Sequence, residues 1–226
     1  MMLSSTLLTA SRQQRIKQDS QSELAYRVLK EKIITLEYPP ATLLNEAQLI
    51  AELNLGRTPI REALQRLAFD NLVVILPRRG TIVADLNMSD IQKIFEIRVE
   101  LEARAAYLAA RRATPAQIAE MEALFSGADE IICQGNHHQL IALDHQLHCL
   151  VVRAAQNEFL EEILERLYTH ILRLWYVSLH KVSRLAEAIQ EHRDIIAAIR
   201  AGNGEQAAQI MRTHITGFQR EFNAVS

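Results

Sequence analysis

The chain has 226 residues, 49% of them hydrophobic, 5% aromatic and 23% charged, with a formal net charge of −2, a composition that supports a folded core in one or two domains and excludes a disordered chain. Two cysteines, Cys133 and Cys149, cannot build a disulfide framework, and no apolar run approaches the ~20 residues that span a bilayer. The sequence therefore reads as a cytoplasmic protein with reduced thiols and no membrane partner.

Residues 1–20 are polar, lack the apolar stretch of a signal peptide and are expected to form a flexible arm. Ser22 then caps a helix whose apolar positions Leu24, Ala25, Val28, Leu29, Ile33 and Leu36 recur at helical spacing until Tyr38, Pro39 and Pro40 end it. A shorter helix runs from an Asn45 cap through Ala47, Leu49, Ile50 and Leu53, and Asn54, Leu55 and Gly56 form a turn. The next helix is expected to start with Thr58 as N-cap and Pro59 in the first helical position. Ile60, Ala63, Leu64 and Leu67 make its inward stripe, and Arg57, Arg61, Gln65 and Arg66 lie off that stripe. Arg can grip guanine and Gln adenine bidentately, so this face suits a major groove, although an ordinary solvated helix surface would also carry such residues. After Asn71, the runs Leu72 to Leu76 and Thr81 to Val83 read as a β-hairpin whose tip, Pro77, Arg78, Arg79 and Gly80, carries two cations and a glycine. Residues 1–86 hold 11 basic against 9 acidic side chains, net +2, whereas residues 87–226 hold 14 against 18, net −4. Five of those arginines cluster on this helix and hairpin, where a phosphate-binding surface would have to lie.

With helix order, the Thr58-Pro59 pair and the Arg78-Arg79-Gly80 tip in place, residues 21–86 resemble the winged helix-turn-helix of the GntR family of bacterial transcription regulators. The resemblance implies base and phosphate contacts by Arg57 and Arg61 and a wing contact at Arg79 and Gly80. Gly56 stands where that family usually has Ser or Thr, and Ala47 where its fatty-acid regulator has an arginine, departures that bear on operator sequence.

Residues 87–226 are helical by pattern throughout. Ser89 with Gln92 and Thr114 with Gln117 read as capping boxes, Pro115 opens a helix, and Asn136, Asn157, Ser183 and Asn203 read as further caps, which divides the segment into six helices of an antiparallel bundle. Asp144 and His148 stand four apart on one helix, and His192 and His214 sit in apolar sequence on two others. One carboxylate and three neutral imidazoles converging in a bundle core would suit Zn, Ni, Mn or Fe, whereas separately each is an ordinary core or surface residue. His145 lies about 100° round the helix from Asp144 and falls outside the set.

Asp144 to His148, Gln156-Asn157, Glu191-His192 and Met211 to His214 together resemble the FCD effector domain of the FadR subfamily, and six helices would place it on the VanR-like branch. The resemblance implies a divalent transition metal on Asp144, His148, His192 and His214, a small carboxylate effector at its open positions, and Arg98 reaching that carboxylate. Arg98 could equally form an i, i+4 salt bridge with Glu102. Leu147 replaces the usual Phe, and Asn203-Gly204 the usual Gly-Asp turn. The expectation is a homodimeric regulator, commonly a repressor, that reads an inverted repeat in double-stranded DNA and catalyses no reaction; a metalloenzyme or a sensor of the metal itself are the rival readings.

Overall fold

Apolar residues one turn apart draw the first helix, α1 (residues 21–34), inward, with Ala25, Leu29 and Ile33 fully buried. In the computed structural model, residues 21–178 and 184–225 are described, so the arm expected over 1–20, the Ser183 cap and His180 lie outside the described residues. The Ser22 hydroxyl, expected to cap α1, donates to the Glu62 carboxylate on another helix instead.

A short strand, β1 (Leu43–Leu44), leads into α2 (Glu46–Leu53), where the Asn45 side chain accepts from the N–H groups of Ala47 and Gln48 at 2.9 and 3.3 Å. Asn54 ends α2 in the left-handed region, φ 51°, and turns the chain into α3 (Arg57–Phe69). This helix starts earlier than Thr58 would set it: Gly56 is the N-cap, its carbonyl accepting from Ile60 N–H, and Thr58 is already helical. Pro59 permits this because any position in the first turn lacks an intrahelical donor to lose. Ile60, Ala63, Leu64 and Leu67 are buried against α1 and a small sheet. That sheet has the order β1-β3-β2, with β2 (Val73–Leu76) and β3 (Gly80–Val83) forming the expected hairpin in the register Val73 to Val83 and Leu76 to Gly80. β1, pairing Leu43 with Ile82, was not foreseen, since two residues carry no alternation to detect.

The chain divides into two compact units, residues 1–86 and 87–226. The second consists of helices: α4 (Met88–Arg112), α5 (Pro115–Leu124), α6 (Ala128–Cys133), α7 (His137–Ala154), α8 (Glu158–Ser178), α9 (Leu185–Arg200) and α10 (Gly204–Val225). Thr114 and Gln117 make the expected capping box, and Asn136, Asn157 and Asn203 cap as expected. Ser89 does not: Asn87 takes its N–H at 2.9 Å and α4 begins sooner.

Among the described residues, seven helical segments replace the six expected, because the stretch between Thr114 and Asn136 breaks at Phe125 to Gly127. The break turns Phe125 into the bundle, where its ring lies 5.4 Å from that of His192. Helix number therefore lends nothing to a VanR-like assignment. α4 is the central helix, packed on α7, α8, α9 and α10.

Candidate metal centre and DNA interface

The candidate recognition surface follows from the inward stripe of α3. With Ile60, Ala63, Leu64 and Leu67 buried, Arg57, Thr58, Arg61 and Gln65 are left exposed. Arg57, Arg61 and Gln65 follow at intervals of four and so form one row. Arg61 Nε is 2.9 Å from Glu46 on α2. Arg66, expected on the same surface, turns the other way: its guanidinium stacks 3.9 Å over the Tyr26 ring and bonds Glu23 at 2.6 Å, both on α1. At the hairpin tip, Arg79 N–H donates to Leu76 C=O at 3.1 Å, with Pro77 second in the turn and Arg78 third at φ 61°. Gly80 follows at φ 102°, where a side chain would be strained. Arg78 and Arg79 are both exposed there.

In the helical unit, Asp144 and His148 project from α7, His192 from α9 and His214 from α10, all buried, with one donor atom from each within 4.8 Å of the others. Asp144 Oδ1 lies 3.2 Å from His192 Nε2, 3.5 Å from His214 Nε2 and 3.6 Å from His148 Nε2. The His214 Nε2 is 3.2 Å from both other Nε2 atoms. The far sides of two rings are fixed by carboxylates: His148 Nδ1 bonds Glu102, and His214 Nδ1 bonds Glu191 Oε2 at 2.8 Å. Those carboxylates accept, so both Nδ1 atoms carry hydrogen, and a neutral ring then turns a bare lone pair inward. Asp144 Oδ1 is buried without a hydrogen-bond donor, while Tyr168 Oη donates to its other oxygen. Four acceptors facing one another are stable only around a cation, either protons or a metal ion, and the donor set fits a divalent transition metal.

The electrostatics agree. Burial would raise the Glu102 carboxyl, yet Arg98 and His148 beside it bring it down to about 2. Asp144 likewise falls well below the usual carboxylate range, burial being outweighed by the three imidazoles. Burial would lower His148, but Glu102 and Asp144 lift it to about 9. His192, desolvated and next to His214, drops to about 4. The metal-free cluster thus keeps its cation as a proton on His148.

Arg98 is buried and its Nε donates to Glu102 at 2.5 Å, the i, i+4 pair, with its guanidinium 4.7 Å over the Tyr168 ring. Between Arg98 and the cluster lies a cavity of about 10 Å³, room for about one water. A larger one, about 240 Å³, opens between α7 and α8 beside Glu102, His148 and Tyr168. Cys149 is half-buried on that wall, 3.3 Å from His145 Nε2.

Residues 93–217 match the FCD domain family, and residues 21–83 match the bacterial regulatory proteins of the gntR family. The chain is a GntR-family regulator with an FCD domain. This makes it a bacterial DNA-binding transcription regulator, and its relatives are regulators rather than enzymes. The regulator is 27% identical over 190 residues to the HTH-type transcriptional repressor RspR of Escherichia coli strain K12, covering 84% of this chain and 83% of RspR. It is 28% identical over 198 residues to the HTH-type transcriptional repressor GlaR of the same strain, covering 84% and 90%. Its fold matches the solved structure of E. coli McbR/YncC with a TM-score of 0.79 at 22% identity, covering 91% of this chain and 99% of that one. No helix among the regulator's described residues is long and apolar enough to cross a membrane.

The sequence of the regulator hid the residues that support the cluster. Glu102 was visible only as a partner for Arg98, Glu191 only as a neighbour of His192, and Tyr168 not at all. The available signal was an acid at a buried helical position of α4, in register with the apolar stripe Phe95, Ala105 and Ala109.

Proposed function

We propose that this regulator is a homodimeric repressor whose operator affinity is set by a small carboxylate bound at a divalent metal, Zn, Ni, Mn or Fe, held by Asp144, His148, His192 and His214. The observation that carries the reading is the ring of inward lone pairs, with Glu102 and Glu191 fixing two of the imidazoles in the ligating tautomer. A metal there would offer open positions for a carboxylate oxygen. Arg98 lines the cavity beside the cluster and would receive the second oxygen, partly exchanging its bond to Glu102. That RspR and GlaR are named repressors supports the sign of regulation.

In this reading residues 21–86 bind DNA and residues 87–226 form the effector and dimerisation domain. Arg57, Arg61 and Gln65 enter the major groove, with Thr58 at its edge, and Arg78, Arg79 and Gly80 meet the backbone or minor groove. Arg66, held to α1, positions the helix rather than reading bases. Two copies read an inverted repeat, since one short helix spans few base pairs.

The test is metal content per chain by elemental analysis, on wild type and on His192→Ala purified without affinity tags or chelators. About one equivalent in wild type and none in the variant is expected; metal in neither, even after reconstitution, would sink the metal-centred reading and leave DNA binding standing. The small cavity at Arg98 favours one second reading, in which the ion itself is the signal. Operator affinity, measured on duplexes selected from a random library, would then follow free metal with no organic acid present.

A further inference from the structure

Gly217 stands in the interior of α10, between Thr216 and Phe218, where alanine favours a helix and glycine weakens it. The space of its missing side chain is filled by an arginine from another helix. A Cβ at Gly217 would lie 2.5 Å from Cζ and 2.7 Å from Nη2 of Arg184, so the guanidinium rests directly on the backbone of α10. Arg184 is the N-cap of α9, and its side chain is only 15% exposed. His214, Gly217 and Phe218 fall at i, i+3 and i+4 and share one face of α10. The guanidinium lies across all three.

Its contacts there are directional. Arg184 Nη1 donates to the His214 carbonyl at 3.2 Å and Nη2 to Glu191 Oε1 at 2.6 Å, while Cζ stands 4.9 Å over the Phe218 ring. Glu191 lies about two turns along α9 from Arg184, and its other oxygen accepts from His214 Nδ1. An unrestrained glutamate samples several rotamers. Here one oxygen is tied by a planar fork that is itself seated on a glycine and packed on an aromatic ring, which confines the carboxylate to one orientation. The hold on the imidazole is thus set by where the start of α9 docks on α10.

We infer that Arg184 is a positioning residue for the cluster: seated in the gap that Gly217 leaves on α10, it fixes Glu191 and, through Glu191, the ring of His214. The inference rests on the metal-centred reading above and makes one of its four ligands conditional on helix packing. Any shift of the α9 start along α10 moves Arg184, then Glu191, then the imidazole.

A double-mutant cycle on the full chain tests it. Gly217→Ala adds one methyl group whose three nearest atoms all belong to Arg184, so it displaces the guanidinium; Arg184→Met removes the guanidinium and keeps an unbranched side chain. Each variant is expected to weaken Co²⁺ affinity roughly 10-fold in competition with a chelating dye, with helix content by circular dichroism unchanged. In the Arg184→Met background Gly217→Ala should have no further effect, because the group it displaces is gone. Wild-type affinity in Gly217→Ala, or losses that simply add in the double variant, overturns the inference. The metal-free protein supplies a second readout, the His214 Nδ1–H signal in ¹⁵N-correlated NMR spectra, which should exchange slowly with solvent in wild type and be lost in Gly217→Ala. A wild type that binds no Co²⁺ overturns the metal-centred reading, and the proton signal then decides on Arg184 by itself: its retention in Gly217→Ala overturns the inference.

Discussion

Arg61 and Glu191 illustrate how differently single side chains serve this regulator. Arg61 is exposed in the middle of the α3 row and paired with Glu46 at the surface, so its removal leaves the core intact. Arg61→Ala should lower operator affinity roughly 10- to 100-fold in a fluorescence anisotropy titration, with metal content unaltered; undiminished binding would remove Arg61 from the interface. Glu191 acts inside the protein, where it holds His214 Nδ1 at 2.8 Å and is itself held by Arg184 at 2.6 Å. Glu191→Ala should weaken metal affinity by about 10- to 100-fold in competition with a chelating dye. An unchanged affinity would mean that packing alone, such as the Phe218 ring 5.1 Å from His214, orients the imidazole. At this scale the four clustered residues were legible and their supports were not. Asp144 and His148 share a helix face by spacing, and the apolar setting of His192 and His214 points both toward a core. Glu102, Glu191 and Tyr168 matter through contacts with other helices, about which their own neighbours in sequence say nothing.

Among the elements, the reading succeeded at most ends that a side chain writes, took Ser89 for Asn87 as the cap of α4, and failed at Gly56, where backbone alone decides. Asn45, Thr114, Asn136 and Asn203 cap as their chemistry dictates. Gly56 displaced Thr58 because an extended glycine can open a helix with no side-chain bond at all. The α5–α6 break falls at Phe125, Ser126 and Gly127, where Phe125 is buried in the bundle and Gly127 is the N-cap of α6. The turn before α10 shows how tightly such junctions can be set. A Cβ on Gly204 would lie 2.8 Å from the Tyr107 ring and 3.0 Å from the Tyr107 carbonyl on α4, so α10 approaches α4 as only glycine permits. Gly204→Ala should therefore cost about 1–3 kcal/mol from overpacking, seen as a lower urea midpoint with an unchanged slope. A stabilised variant would show that the junction gives way at little cost and that the helix preference of alanine wins.

For the whole molecule, the cluster ties folding to protons and, under the proposed function, to metal. In the metal-free protein His148 is lifted from 6.5 to about 9, so the stability it contributes is complete below the unfolded value and is lost as pH rises through about 9. His192 is lowered from 6.5 to about 4, so its contribution is present above the unfolded value and is lost as pH falls toward 4. The two limbs meet, and the thermal midpoint of metal-free protein should peak near pH 6.5 and fall on both sides. Metal binding follows the opposite slope above that point, because the proton on His148 must leave before its Nε2 can ligate, whereas His192 is already neutral. Below pH 9, therefore, the apparent metal affinity should rise about tenfold per pH unit from His148 alone. The excess thermal stability of metal-loaded over chelator-stripped protein should widen from pH 6 to pH 8. Calorimetric titration with Zn²⁺ at pH 6, 7 and 8, in buffers of different ionisation enthalpy, counts the protons released directly. Release of about one proton at pH 7 would identify His148 as the gate between the protonated and the metal-bound cluster. Release of none, with a flat affinity profile, would mean that the inward lone pairs are not neutralised by a proton in the metal-free protein and that Asp144 must relax away from the imidazoles instead.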